Sequence, residues 1–264
     1  MTEAVRRIGG GTEDQRLCYG VTLSTSEIGR ILRAREIRPH RVQMWLQSQD
    51  PAFRQKVDVI CQLYTSPPAG TTVLCMDEKP IQLLQDKTAP LPGTQKHPKR
   101  IDHEYKRIGT ASIFLFTEPL AGWRYAYARE QRTMVDWAKQ VAAIIDSRYP
   151  NNEKIILVCD NLNIHKPGSF YKAFKPSKAR EYVRKIEFCH TPKHGSWLNI
   201  AECELSSLEK QCLRFRRFDN VDYLNAEMLA WHSDVNSKQK GVDWQFTVED
   251  ARTKLKSLYP KIIL

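Results

Sequence analysis

No apolar run in the 264 residues approaches the roughly 20 that a helix needs to cross a bilayer. The opening stretch MTEAVRRIGGGTEDQ has no apolar segment of the signal-peptide kind either. Both absences lead us to expect a cytoplasmic protein. The seven cysteines, at positions 18, 61, 75, 159, 189, 203 and 212, are odd in number and form no Cys-x-x-Cys pair, which argues against a disulfide framework. Cys75, Cys159 and Cys189 lie inside apolar runs and read as buried reduced thiols. There is no internal repeat and no low-complexity tract, so a repeat array is excluded. HGSWL lacks the Gly-x-Ser-x-Gly elbow, which sets aside a serine hydrolase. Pro192, between His190 and His194, argues against a helical pair of imidazole ligands. Acid is also scarce, with 30 Asp and Glu against 41 Lys and Arg.

That last imbalance says something positive. A net charge of +11 favours a polyanionic partner, because each phosphate neutralised by Lys or Arg releases counterions. The basic residues cluster between Lys166 and Lys185, where Lys166, Lys172, Lys175, Lys178, Arg180, Arg184 and Lys185 stand against one acid, Glu181. Charge patterning alone leaves two readings open, a grip on phosphates or a solvated basic helix.

Ser24 and Glu27 have capping-box spacing, and Ile28, Ile31 and Leu32 then recur at helical intervals. The other face of this helix carries Arg30, Arg33 and Arg35, with Arg38 and Arg41 following, as in the recognition helix of a small DNA reader. Another helix starts at Asp50–Pro51 and runs through Tyr64, and TSPPAG (65–70) has the composition of a linker. We therefore expect residues 1–64 to form a small helical DNA-reading domain. Residues 71–264 form the second domain.

Beyond the linker the pattern turns to strands. Thr71–Cys75, 109–116 and the alternating Trp123, Tyr125 and Tyr127 predict one strand and a hairpin beside it. Thr133 and Asp136 open a helix with Met134, Trp137, Val141 and Ile144 on one stripe. KIILVCDN and KIEFCHTP read as further strands, WLNIAECELSSLEKQCLRF as a long helix, and two late helices follow. This order predicts a mixed α/β sheet flanked by helices, with ligands gathered at the carboxyl ends of the strands.

VLCMDEKP and KIILVCDN share one device, an aliphatic run that delivers an aspartate, Asp77 or Asp160. One such residue alone is more often a turn residue than a catalyst. Two hard oxygen ligands on neighbouring strands, joined by a glutamate from a helix, suit a pair of Mg²⁺ ions about 3.5–4 Å apart, the arrangement used for in-line displacement at phosphorus. SWLNIAECEL offers both Glu202 and Glu204 for that role. They flank the inward stripe Ala201, Leu205, Leu208 and Cys212 on opposite sides, so periodicity does not choose between them. Asn199 is placed to cap the first turn.

CMDEKP, CDNLNIHKP and TPKHGSWLNIAE, in this order and at these distances, resemble the DDE transposases of bacterial insertion sequences, the insertion-sequence 630 group related to mariner elements. The likeness runs from about Leu23 to the carboxyl terminus and includes EPLAGWR and VDWQFTVEDARTKLKSLYP. It implies an RNase H-like DDE catalytic domain behind a helix-turn-helix region, of which residues 1–64 are a remnant, with metal-dependent strand cleavage at transposon ends and strand transfer into target DNA. The implied catalytic and metal-binding residues are Asp77, Asp160 and, by the match to WLNIAE, Glu202. The implied cofactor is Mg²⁺, two ions, with Mn²⁺ as substitute. The implied partners are transposon-end and target DNA and a second copy of the chain in a homodimer, at the bacterial nucleoid.

Lys172, Lys175 and Lys178 are expected to grip phosphates, and His165 and Lys166 to touch DNA. Asn161 is expected to orient the loop after its strand, and Glu78 to face solvent or pair with a lysine. Two departures from the family pattern stand out. The interval from Asp160 to Glu202 is longer than usual, with the added length in KPGSFYKAFKPSKAR, and only part of one helix-turn-helix unit precedes Asp50. The second departure supports an alternative reading as a truncated, transposition-inactive DNA-binding remnant. An unrelated metal-dependent phosphohydrolase ranks third, because the basic surface argues against it.

Overall fold

A computed structural model describes residues 24–35, 50–151, 154–238 and 240–254. The chain divides into two units, Met1–Leu46 and Gln47–Leu264, each considered by itself. The first contains helix α1, Thr25–Ala34, whose Ser24 hydroxyl accepts the Glu27 N–H at 3.1 Å. The box is only half made, because the Glu27 carboxylate turns to Arg30 at 2.5 Å.

In the larger unit a five-stranded sheet has the order β3-β2-β1-β4-β5. Its strands are β1 (Thr72–Asp86), β2 (Tyr105–Glu118), β3 (Trp123–Arg129), β4 (Ile155–Cys159) and β5 (Ile186–His190). β1, β2 and β3 run antiparallel, and β1, β4 and β5 run parallel. The parallel half needs crossovers. The first uses α3 (Met134–Arg148), begun by a complete Thr133–Asp136 capping box, and the second uses α4 (Pro167–Ala173) and α5 (Pro176–Lys185).

All three crossover helices cover one face, where Leu74, Met76, Phe114, Phe116, Leu157 and Trp137 are buried together. The other face is covered by α2 (Phe53–Thr65), α6 (Ile200–Leu208), α7 (Val221–Ser237) and α8 (Val248–Lys254). Burial of both faces explains why β4 reads as the unbroken apolar run IILVC. The domain boundary differs from the expected one. Phe53, Val57, Ile60 and Cys61 of α2 are fully buried in this second core, so α2 belongs to the larger unit and not to the expected amino-terminal domain 1–64.

The open edge of β3 is closed by side chains. Asn225, His232 and Asn236, which recur on one face of α7, accept the N–H groups of Ala128, Ala126 and Arg124 at 2.7, 3.4 and 2.7 Å. Asn225 and Asn236 also donate back to the carbonyls of Ala128 and Arg124. An edge satisfied in this way cannot template another strand.

Candidate active site

Parallel pairing between β1 and β4 ends at Cys75 opposite Val158. Asp160 stands just past the end of β4, and Asp77 lies two residues beyond Cys75 within β1, so the two-residue period of a strand aims Asp77 toward the face that carries α6. β1 does not end there. It continues to Asp86 with β2 as partner, Asp77 opposite Leu115. Asp77 is therefore a mid-strand residue at the point where the parallel neighbour falls away, and not the strand-terminal residue expected, because β2 carries the ladder onward.

The third acid arrives through a tight turn. The Gly195 N–H bonds to the Pro192 carbonyl at 2.9 Å, and a methyl group at Gly195 would come within 2.5 Å of the Pro192 ring, so the turn requires glycine. A short 3₁₀ turn, Ser196–Leu198, leads to Asn199, which is buried and does two things. Its Oδ1 accepts the Ala201 N–H at 3.2 Å, the expected cap, and its Nδ2 donates to the Met76 carbonyl at 2.8 Å. The second bond stitches the start of α6 to β1 next to Asp77, and Glu202 sits in that first turn. Below, the Tyr64 hydroxyl of α2 donates to the Leu198 carbonyl at 3.0 Å and lies 3.3 Å from the Cys75 sulfur.

Asp77 registers the resulting crowding. Burial raises its carboxyl to about 7, against the hydrogen bond from the Glu78 N–H, and the charges of Glu78, Asp160 and Glu202 add to the rise. Among the described residues no cation pairs with Asp77 or Glu202. An open groove of about 360 Å³ runs beside Glu202, lined by Glu78, Lys79, Pro80, Leu205, Glu209 and Lys210.

Glu204 has a different fate. It is buried and paired with the buried Arg124 of β3 at 2.9 Å, and Arg124 also donates to the Lys240 carbonyl at 2.8 Å. Of the two glutamates between which periodicity did not choose, Glu204 is the one whose charge is matched inside the protein.

Two expectations fail. His165 is not available to DNA, because its side chain is fully buried between two carboxylates, Nδ1 2.7 Å from Asp160 Oδ1 and Nε2 2.8 Å from Glu78 Oε1. Glu78 does not face solvent or a lysine, since its side chain is 1% exposed and meets His165. The strand period explains both. Glu78 follows Asp77 and therefore points to the opposite face, where the loop after β4 brings His165 against Trp137, ring centroids 5.3 Å apart. Burial works against a charged His165, yet hydrogen bonds to Asp160, Cys159 and Glu78 push it up to about 12. Asn161 is exposed and the turn is held instead by Asp160 and His165, with the Leu162 N–H on Asp160 Oδ1 at 3.4 Å and the His165 N–H on the Leu162 carbonyl at 3.0 Å.

Lys166, Lys172, Lys175 and Lys178 are exposed, and Lys178 pairs with Glu181 at 3.1 Å. The segment does not all stay at the catalytic edge, because α5 must return the chain to the start of β5. Lys166 stands near Asp160, whereas Lys185 donates to the Pro150 carbonyl, in the chain that leads into the opposite end of β4. In the amino-terminal unit Arg30, Arg33 and Arg35 are exposed on or at the end of α1, and Arg38 and Arg41 lie outside the described residues. Of the thiols, Cys61, Cys75, Cys159 and Cys212 are buried and free, Cys189 is partly buried, and Cys203 is exposed.

Residues 72–225, more than half of the chain, match the family model of the DDE superfamily endonucleases. The chain belongs to the DDE superfamily of endonucleases. Solved structures with the same fold include the Mos1 transposase paired-end complex with left transposon end, 14% identical with a TM-score of 0.50. That match covers 82% of this chain and 66% of that one, so the chain spans just under two thirds of its length. The catalytic domain of Mos1 mariner transposase is 11% identical with a TM-score of 0.54, covering 84% of this chain and 100% of that one. The mariner Mos1 paired end complex with Mg is 12% identical with a TM-score of 0.52, covering 97% and 86%. At these identities the likeness establishes the fold, and the sheet of this DDE endonuclease is RNase H-like. No curated protein sequence matches the chain. The Glu78–His165–Asp160 contact was missed by sequence reasoning, although two signals were present: an acid directly after Asp77 and a histidine five residues after Asp160.

Proposed function

We propose that this DDE endonuclease is a transposase of the insertion-sequence 630 group that cuts phosphodiesters at transposon ends and transfers the freed strand into target DNA. The observation that carries the reading is that the charges of Asp160 and Glu202 act on the buried carboxyl of Asp77, while among the described residues no cation pairs with Asp77 or Glu202. Such a set fits divalent metal ions. All donors are hard carboxylate oxygens, and a bound dication offsets both the burial of such charges and their mutual repulsion. In this reading the three acids hold two Mg²⁺, with Mn²⁺ as substitute. When bound, the metal pair supplies an activated nucleophile and stabilises the leaving oxygen of an in-line displacement.

The chain's own residues prepare that chemistry. Asn199 fixes Glu202 relative to β1, and Glu204 stays out of the site because Arg124 holds it. The groove beside Glu202 gives a DNA strand its approach. Exposed Lys166, Lys172, Lys175 and Lys178 contact the phosphate backbone, and Arg30, Arg33, Arg35, Arg38 and Arg41 add DNA affinity in the amino-terminal unit. Two ends must be cut together, so the chain acts as a homodimer on DNA, at the nucleoid.

The test is nicking of end-containing DNA in Mg²⁺ by the parent and by Asp77→Asn and Asp160→Asn, which keep volume and remove a charged ligand. Each change should lower the rate by about 10³-fold or more, the scale of several kcal/mol of transition-state charge stabilisation, with circular dichroism unchanged. Near-normal nicking by both variants overturns the reading.

A further inference from the structure

Asp160 differs from Asp77 and Glu202 in having a protein partner, and that partner is itself held. Both His165 nitrogens are engaged, Nε2 with Glu78 Oε1 at 2.8 Å, and Nδ1 with Asp160 through both the carboxylate Oδ1 at 2.7 Å and the main-chain carbonyl at 3.1 Å. The histidine side chain is fully buried and that of Glu78 is 1% exposed, so water does not compete for either bond. Trp137 packs on the ring at 5.3 Å, and the ring sits in a loop pinned by its own backbone bonds. A half-exposed aspartate normally samples several rotamers. Here one oxygen, Oδ1, lies against the imidazole and accepts the Leu162 N–H at 3.4 Å, and among the described residues no hydrogen bond engages Oδ2.

We propose that Glu78 and His165 are positioning residues: Glu78 orients the imidazole, and the imidazole fixes the Asp160 carboxylate so that Oδ2 alone is offered to a metal ion. This rests on the reading of Asp160 as a metal ligand. Outer partners of this kind change metal affinity by about 10–100-fold when removed, because the free site must otherwise order the ligand as it binds. Glu78 can do this from the opposite face of β1 because it directly follows Asp77, which places the ligand and the support on alternate residues of one strand.

The experiment measures Mn²⁺ binding to the full chain without DNA by electron paramagnetic resonance, together with the melting temperature in metal-free buffer. His165→Phe keeps a ring beside Trp137 and removes both N–H groups. Because it leaves Glu78 buried without a partner, the double variant Glu78→Met, His165→Phe replaces both polar groups with apolar ones and provides a second folded comparison. The proposal expects Mn²⁺ affinity 10–100-fold weaker in whichever variant is folded, and nicking partly restored by raising Mg²⁺. A pair with only a structural role would lower the melting temperature and leave the affinity unchanged, and that result overturns the proposal. Equal Mn²⁺ binding by the parent and Asp160→Asn is a different outcome, which removes the metal reading itself.

Discussion

Glu202 and Glu204 lie two residues apart on α6, and the fold treats them oppositely. Glu202 is half-buried at the sheet edge, beside a groove and among other carboxylates. Glu204 is buried beneath α7 with its charge matched by Arg124 at 2.9 Å. The same division separates Asp77 from Glu78, adjacent on β1, the first buried among acidic charges and without a cation partner among the described residues, the second sealed against His165. In both pairs the secondary structure makes the choice, since a period of two or a rotation of 200° sends neighbouring acids to different surroundings. The comparison teaches that the surroundings of a carboxylate here follow from which face of its strand or helix it reaches.

The largest stability effect expected is on the sealed side. Arg124→Ala leaves Glu204 as a buried charge without its partner and should cost about 3–5 kcal/mol, read as a lowered urea midpoint. Replacing Arg124 by Met and Glu204 by Leu together should recover most of the loss. An Arg124→Ala chain as stable as the parent would mean that the two sides do not differ as described.

An effect of opposite sign is expected on the open side. The folded carboxyl of Asp77 is raised to about 7 from its ordinary value of 3.8. Between those limits the unfolded chain has lost this proton while the folded chain retains it, so stability falls as pH rises from about 4 to about 7. In metal-free buffer Asp77→Asn should therefore melt above the parent at pH 8 and match it near pH 4. Added Mg²⁺ should raise the melting temperature of the parent and not that of the variant. Parallel melting curves for the two across this range would show that Asp77 is not crowded.

Much of this division was legible in the sequence. The aliphatic runs before Asp77 and Asp160 predicted strands, the capping box at Thr133 predicted α3, and Asn199 was placed as the cap it is. What escaped notice required a partner far along the chain. The length of β1 depends on β2, so its continuation past Asp77 could not be read from VLCMDEKP alone. The assignment of α2 to the catalytic core depends on contacts such as Tyr64 with Leu198, 134 residues apart in sequence. Glu78 and His165 are separated by 87 positions, and Arg124 and Glu204 by 80, so neither pair leaves a local periodic signal. His165 is expected at DNA from the sequence, whereas the loop turns it inward against Glu78.

The most direct test compares Glu202→Gln with Glu204→Gln in Mg²⁺-dependent nicking of end-containing DNA. Both changes keep volume and remove one negative charge from the same helix, so differences in helix propensity do not intervene. The account predicts that Glu202→Gln abolishes cleavage, while Glu204→Gln retains most of it at a temperature where it is folded. Loss of cleavage in folded Glu204→Gln with retention in Glu202→Gln would contradict it and move the third ligand to Glu204.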